Sequence, residues 1–233
     1  MNQYLYLILN LGSISIPLIY SVLEKKLHFI KYFKIAFFSI LLVAIPFLIW
    51  DGIFTNLDVW GFNSEYFLGI KFFEMPLEEW MFFFCIPYAC LFTHEVLKYL
   101  FPKFKMGKNI TIITCIILIV IIGLLLFLNF GKLYTTINFI FFLTLIIYAL
   151  KTKLNTLQEY LPSFVVILIP FLVVNGILTG SFIEEPVVWY NNNENIGFRL
   201  FTIPVEDVFY AFNLLFSIQL IFNAFKTKKY VSE

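Results

Sequence analysis

The sequence predicts an all-α, polytopic membrane protein with about seven transmembrane helices. Three observations predict this fold class: the overall composition, the lengths of the apolar segments and an internal repeat. The 233 residues are 61% hydrophobic and 21% aromatic, and only 13% are charged, which is about half the charged share of a soluble domain. The net charge of +1 implies no bulk attraction to nucleic acid, so we expect membrane lipid and no nucleic acid around the chain.

Seven apolar segments are long enough to cross a bilayer as helices, which requires about 20 residues each. The second of them is short, and only a tight turn at 129–132 separates the fourth from the fifth. The predicted spans are 4–23, 33–50, 76–100, 110–128, 133–150, 161–178 and 205–225.

The distribution of basic residues predicts the orientation of the helices in the membrane, because cytoplasmic connections carry an excess of Lys and Arg. Of the 16 Lys and Arg residues, all except Lys71, Lys132 and Arg199 fall on one side of the predicted bundle. We therefore expect an integral, multi-pass protein with its N-terminus outside and its C-terminus in the cytoplasm. In a bacterial cell this location is the inner membrane.

An internal repeat divides the chain into two halves. Residues 45–55 match residues 169–179 at seven of eleven positions, and a similar acidic motif follows each copy. Because three helices reverse the direction of the chain, an additional linker helix is needed to give both units the same orientation. We predict a 3+1+3 parallel repeat with a pseudo-two-fold axis along the membrane normal, and a site at the interface of the repeats. The predicted units are 1–101, 102–131 and 132–233.

The two acidic motifs are the candidate functional site. They read Pro-Leu-Glu-Glu from Pro76 and Pro-Val-Glu-Asp from Pro204. Ionisable side chains at the edge of a transmembrane segment are costly to bury and usually serve a function. Each proline suits the opening turn of a helix, where the helix dipole favours a carboxylate; we treat both as supporting residues. The candidate catalytic residues are Glu78, Glu79, Glu206 and Asp207.

Helical phase predicts which of these acids face the interior. On the last helix Glu206, Tyr210 and Asn213 share one polar face, and on the third helix Glu78 and Phe82 share the equivalent face. We therefore expect Glu78 and Glu206 to contact the substrate, with the acid that follows each of them in a supporting position. The candidate substrate-binding residues are Trp80, Phe82, Tyr210 and Asn213.

Asp51 and Asn175 occupy matched positions in the repeated segment, at the predicted outer ends of the second and sixth helices. They are candidate supporting residues. Two interpretations are open: they hold the acid pairs in place, or they cap those helix ends.

Two carboxyl groups in one site can act as an acid beside an anion. A protonated carboxyl can deliver a proton to an electron-rich alkene, and the resulting carbocation is stabilised by nearby anions and aromatic faces. A base then removes a different proton. The residues at hand therefore indicate redox-neutral cyclisation of a polyene, a reaction for which we expect no cofactor and no metal.

The segments 45–52, 59–63, 76–88 and 204–210 closely resemble the lycopene cyclase domain family of membrane-embedded cyclases. The resemblance extends over nearly the whole chain. It implies conversion of the linear ends of lycopene, or of a similar polyene, into β-ionone rings in carotenoid biosynthesis, with catalytic acids at the four motif positions. Because one chain carries both copies of the motif, it resembles the fused form of the family, and we expect that it requires no partner subunit.

Two alternative functions are compatible with parts of the pattern. One is a membrane terpene cyclase that acts on another polyene. The other is a SWEET-like small-molecule transporter, which a parallel 3+1+3 repeat also resembles. A polar solute needs a polar path, however, and the inner halves of the third and seventh helices are almost entirely apolar.

Overall fold

The computed structural model describes residues 2–231 as a seven-helix bundle with short β-strands at one end. Within these residues all seven helices are long and apolar enough to cross a membrane, which confirms the predicted fold class. The helices are α1 (Leu5–Leu23), α2 (Phe33–Asn56), α3 (Leu77–Leu100), α4 (Lys108–Leu128), α5 (Leu133–Thr152), α6 (Leu154–Leu178) and α7 (Glu206–Val231).

Helices α2, α6 and α7 extend six or seven residues beyond their predicted spans, and polar side chains explain the first two of these extensions. Helix α2 continues to Asn56 because its polar residues find partners without leaving the helix: the side chain of Asn56 donates to the carbonyl of Gly52. Helix α6 begins at Leu154, where a polar first turn approaches the start of α4 and Gln158 donates to the carbonyl of Met106. Polar residues therefore do not mark the helix ends in these two places.

Six short strands form a cap over the end of the bundle that carries the acidic motifs. Hairpin β2–β3 leads directly into α3 and hairpin β5–β6 leads into α7, whereas β1 and β4 pair with each other across the two halves. The strands lie over the mouth of the bundle. The strands are β1 (Trp60–Phe62), β2 (Lys71–Phe72), β3 (Met75–Pro76), β4 (Val188–Tyr190), β5 (Arg199–Leu200) and β6 (Ile203–Pro204).

The pseudo-two-fold axis passes through the β1–β4 pair. The amide of Asn63 donates to the carbonyl of Val187 at 2.8 Å, and the amide of Asn191 donates to the carbonyl of Val59 at 2.9 Å. The pseudo-two-fold axis relates one bond to the other, because Asn191 follows Asn63 by the same number of residues as Val187 follows Val59. The symmetry confirms the predicted internal repeat.

Helices α3 and α7 are the most buried of the described spans and contact each other, α2 packs on both of them, and α1 packs on α3 as α5 packs on α7. The linker helix α4 packs on α5 and α6 and leaves most of its surface exposed. The lysine-rich connections lie at the end opposite the cap, as alternating spans require; the assignment of that end to the cytoplasm stays a prediction.

Gly61 in β1 lies against the indole of Trp189 in β4, and a Cβ atom at Gly61 would lie only 2.3 Å from that ring. We expect Gly61→Ala to displace the indole and to destabilise the cap by about 1–3 kcal/mol, the usual cost of overpacking. Thermal unfolding in detergent would measure this effect. In Gly123→Ala, a matched control on α4 with no neighbour within 4 Å, the melting temperature should not fall. An unchanged melting temperature in Gly61→Ala would contradict the close packing of β1 on β4.

Candidate active site

Glu78 and Glu206 hold the cap connections onto the helices. Both side chains are fully buried. The Oε1 atom of Glu78 accepts from the amide of Leu68 at 2.9 Å, and the Oε1 atom of Glu206 accepts from the amide of Ile196 at 2.7 Å. Glu206 also accepts from the hydroxyl of Thr135 at 2.6 Å. These carboxyl groups thus bind backbone and side-chain donors within their own half of the protein.

Glu78 and Glu206 face the interior of the protein, as helical phase predicts, but the acids that line the cavity between the halves are Glu79 and Asp207. Contact of Glu78 and Glu206 with a substrate stays a prediction, and the position of the cavity does not favour it. Glu206 lies against α5 of the same half, where Asn138 donates to its carbonyl at 2.7 Å. Tyr210, predicted on the same face of α7, packs against Trp50 of the other half, so that face does not turn as a whole towards one half.

Asp51 and Glu79 form the first carboxyl centre. The indole nitrogen of Trp60 donates to Asp51 at 2.5 Å, and the hydroxyl of Tyr6 donates to Glu79. The two carboxyl groups also lie within hydrogen-bonding reach of each other. Because a carboxylate has no proton to donate, a hydrogen bond between two carboxyl groups requires one proton on the pair. This centre is arranged to hold a proton.

Asp207 forms the second carboxyl centre, and three donors surround it. The hydroxyl of Tyr134 donates at 2.6 Å, the side-chain amide of Asn175 at 2.8 Å and the hydroxyl of Tyr190 at 2.9 Å. Enclosure in the protein and the neighbouring Asp207 carboxylate raise the pKa of Tyr190 well above its usual value, so this phenol stays protonated and donates. Several donors to one carboxylate favour its charged form.

Asp51 and Asn175 both contact the acids. The structure places them inside α2 and α6, and not at the ends of these helices. Asn175 donates directly to Asp207, and Asp51 lies beside Glu79. Of the two interpretations that the sequence left open, contact with the acidic residues describes their position and helix capping does not.

Both centres open into one cavity at the interface of the repeats, beneath the cap. It encloses about 60 Å³ accessible to water-sized molecules. Aromatic rings form much of its wall: the ring of Trp60 lies 5.1 Å from that of Tyr134 and 6.4 Å from that of Tyr210, and the rings of Tyr134 and Tyr190 are stacked at 6.0 Å. The wall is completed by apolar side chains, namely Phe62, Phe82, Phe83, Phe171, Leu178 and Val188.

The predicted substrate-binding residues divide into two pairs. Phe82 and Tyr210 line the cavity. Trp80 lies away from it, where its indole donates to the carbonyl of Phe72 at 3.3 Å. Asn213 lies away from it too, donating to the side chain of Asn138 at 2.9 Å.

Pro76 and Pro204, the predicted supporting residues, end the last strand of each hairpin immediately before the acidic helices. Pro76 is extended, with φ −62° and ψ 150°, and is the N-cap of α3. The prolines therefore start the helices at the register that places the second acid of each motif in the cavity.

Sequence reasoning missed the tyrosines that bind the acids. Tyr6 on α1 and Tyr134 on α5 occupy equivalent positions, and each is followed four residues later by an asparagine, Asn10 or Asn138. Asn10 donates to the carbonyl of Glu78 at 2.8 Å, as Asn138 does to that of Glu206. The repeated Tyr-x-x-x-Asn pattern is the signal that would have identified these residues.

The arrangement brings carboxyl groups from both halves together in one largely aromatic space. One centre contains two neighbouring carboxyl groups, and the other contains a single carboxyl group surrounded by donors. Such a pair can add a proton at one position of a bound molecule and remove a proton from another. Among the side chains that the structure describes, no group of three or more His, Cys, Asp or Glu residues is placed to hold a metal ion.

Glu78→Ala removes a fully buried side chain that accepts from the amide of Leu68, and we expect it to lower the free energy of unfolding by about 1–3 kcal/mol. Glu78→Gln retains a side-chain oxygen at the same place, so it should fold with nearly the stability of the wild type. Thermal unfolding in detergent compares the two variants. Equal losses in both would show that the charge of Glu78, and not its acceptor oxygen, stabilises the connection.

A family model for lycopene cyclase matches residues 3–97 and 131–225. The two matched segments correspond to the two three-helix units and leave α4 between them. No curated protein and no solved structure matches the chain. Because the matched segments cover most of the sequence, the chain belongs to the lycopene cyclase family, and it is a membrane-embedded enzyme, a cyclase of carotenoid biosynthesis.

Proposed function

We propose that this protein is a lycopene β-cyclase, which converts the linear ends of lycopene into β-ionone rings without net oxidation or reduction. The observation that carries this proposal is the meeting of two unlike carboxyl centres in one aromatic cavity at the repeat interface. A redox-neutral cyclisation needs one group to donate a proton and another to accept one, and it needs little water.

The first carboxyl centre is the proposed acid. The proton shared by Asp51 and Glu79 is added to the terminal double bond of a lycopene end, which leaves a tertiary carbocation. The π electrons of the nearby internal double bond attack this cation, and the new carbon–carbon bond closes a six-membered ring. Tyr6 and Trp60 bind the two carboxyls and so hold the anion that remains after the proton has left.

Asp207 is the proposed base. After ring closure the positive charge lies on a ring carbon, and loss of the adjacent proton forms the double bond of the β ring. The three donors to Asp207 stabilise it as a carboxylate before this step. The overall reaction conserves atoms and electrons, because the acid loses one proton and the base gains one. Return of that proton to the first centre completes the cycle.

The aromatic wall supports the cationic steps. The faces of Trp60, Tyr134 and Tyr210 surround the space between the centres, and aromatic faces stabilise cations by about 0.5–2 kcal/mol each. The rings and the cap also keep bulk water away from the carbocation, which water would otherwise capture as an alcohol.

Transport of a polar solute is less consistent with the same bundle. Below the cavity the space among α2, α3 and α7 is packed with apolar side chains, including Phe83, Leu214 and Ile218. A polar path through the bilayer would have to break this packing. A cyclase of another polyene is compatible with the site, and product analysis separates the two substrates.

In a lycopene-accumulating host, Glu79→Gln and Asp207→Asn should each lower ring formation on the order of 10²–10⁴-fold, the usual contribution of an acid or a base. The matched controls are the adjacent acids: Glu78→Gln and Glu206→Gln should still cyclise lycopene. Pigment analysis, normalised to protein in the membrane, measures the effect. Full activity in Glu79→Gln with loss in Glu78→Gln would reverse the assignment of the acids.

Enzyme equilibrated in D₂O should deliver one deuterium to each ring in its first turnover, because the acidic proton is exchangeable. The product should therefore be heavier than lycopene by one mass unit per ring, and equal to it in mass when formed in H₂O. Mass spectrometry of the products makes the comparison. Deuterium-free rings, or a product in H₂O that differs from lycopene by two hydrogens, would rule out the proposed acid–base isomerisation.

A further inference from the structure

A second, larger and mostly apolar space adjoins the cavity. A groove between α1, α3 and α6 opens on the surface of the bundle and encloses about 510 Å³. Three residues, Phe82, Phe171 and Asn175, line both the groove and the cavity. Phe82 and Phe171 thus stand between the carboxyl centres and the lipid-facing surface.

We propose that this groove holds the hydrocarbon tail of the substrate while one end group occupies the cavity, so that a polyene enters from the membrane between α1, α3 and α6. The inference rests on the proposed cyclase function and specifies how its substrate reaches the acids. When one end group of a linear polyene occupies the cavity, the rest of the chain needs the space beyond Phe82 and Phe171.

The shape of the groove suits a linear chain. Along α3 it extends from Phe82 to Thr93, which at the helical rise is about 16 Å away from the cavity. Its walls consist of small and aliphatic side chains, chiefly Leu9, Gly12, Ile86, Ala89, Ile167 and Val174. A compact solute would leave most of this length empty.

The polar atoms of the groove are already satisfied, so its surface is effectively apolar. The hydroxyl of Ser13 donates to the carbonyl of Leu9 at 2.7 Å, and the hydroxyl of Thr93 donates to that of Ala89 at 2.8 Å. Pro17 and Pro170 also line the groove and have no amide hydrogen. A hydrocarbon therefore meets no group that would have to give up water.

The equivalent place in the other half, among α5, α7 and α2, is filled. By the offsets of the repeat, Trp50 stands at the position of Val174, Phe141 at that of Ser13 and Tyr210 at that of Phe82. The ring of Phe47 packs 5.5 Å from those of Trp50 and Phe141, and Trp50 lies 5.0 Å from Tyr210. Aromatic side chains thus occupy the volume that the groove leaves open, so the symmetry-related route among α2, α5 and α7 is closed.

A polyene is favoured over a membrane acyl chain as the occupant because the groove is continuous with the carboxyl centres, which have no chemistry to perform on a saturated chain. One consequence is that the chain closes one end of a substrate at a time. A second end can react only after the molecule leaves and returns reversed.

The test fills the groove without disturbing the acids. A Cβ atom added at Gly12 would have no neighbour within 4 Å, so Gly12→Leu projects into the groove without a backbone clash. Purified in detergent and supplied with lycopene, this variant should turn over at least about tenfold more slowly at low substrate, mainly through a higher KM. Ala89→Leu on the opposite wall should act in the same direction. Gly123→Leu, on a helix glycine of α4 with equally open surroundings, should match the wild type.

Amounts of folded protein and melting temperatures are measured for every variant, so that loss of folding is not mistaken for a blocked groove. Folded Gly12→Leu and Ala89→Leu with wild-type KM would overturn the inference and indicate that the groove holds only lipid, while the cyclase function would stand. Failure of the folded wild-type enzyme to cyclise lycopene would instead overturn the proposed function.

Appearance of free one-ring product before any two-ring product is the expected time course. Direct formation of two-ring product without it would contradict entry of one end at a time through the groove.

Discussion

Three carboxyl groups are buried together at the centre of an apolar bundle, and the rest of the structure depends on satisfying them. Asp51, Glu79 and Asp207 are each less than 10% exposed. A buried polar group without a partner costs several kcal/mol, and a buried charge costs more. These carboxyl groups therefore need hydrogen-bond donors, which come from the first helix of each half, from α6 and from the cap.

The cap connects the helices and also supplies hydrogen-bond donors to the buried carboxyl groups. Trp60 in β1 reaches Asp51, and Tyr190 in β4 reaches Asp207. Because these two strands pair with each other, the donors to the two centres are held at a defined separation by backbone hydrogen bonds across the axis. The glutamates that precede the cavity acids, Glu78 and Glu206, secure the same connections from below.

The two halves of the chain share one scaffold, and differences between equivalent residues distinguish the two carboxyl centres. The tyrosine that binds the acid is common to both halves, but Asp51 is matched by Asn175 across the axis. This one difference, carboxyl against amide, gives one centre two carboxyl groups and the other a single carboxyl group with an additional donor. A second difference of this kind is Val174 against Trp50. Val174 lines the groove between α1, α3 and α6, whereas the ring of Trp50 fills the equivalent place among α2, α5 and α7.

The sequence by itself determined the seven spans, the repeat, the family and the segments that carry the acids, because each of these follows from hydropathy or from the order of residues along the chain. Tertiary structure alone decided which acid of each motif meets the other half. A helical face is a property of one helix, whereas burial depends on the neighbour: α7 turns Glu206 and Asn213 towards α5, where Thr135 and Asn138 satisfy them. The acid one position further on lines the cavity between the halves, where its donors come from other helices and from the cap of its own half.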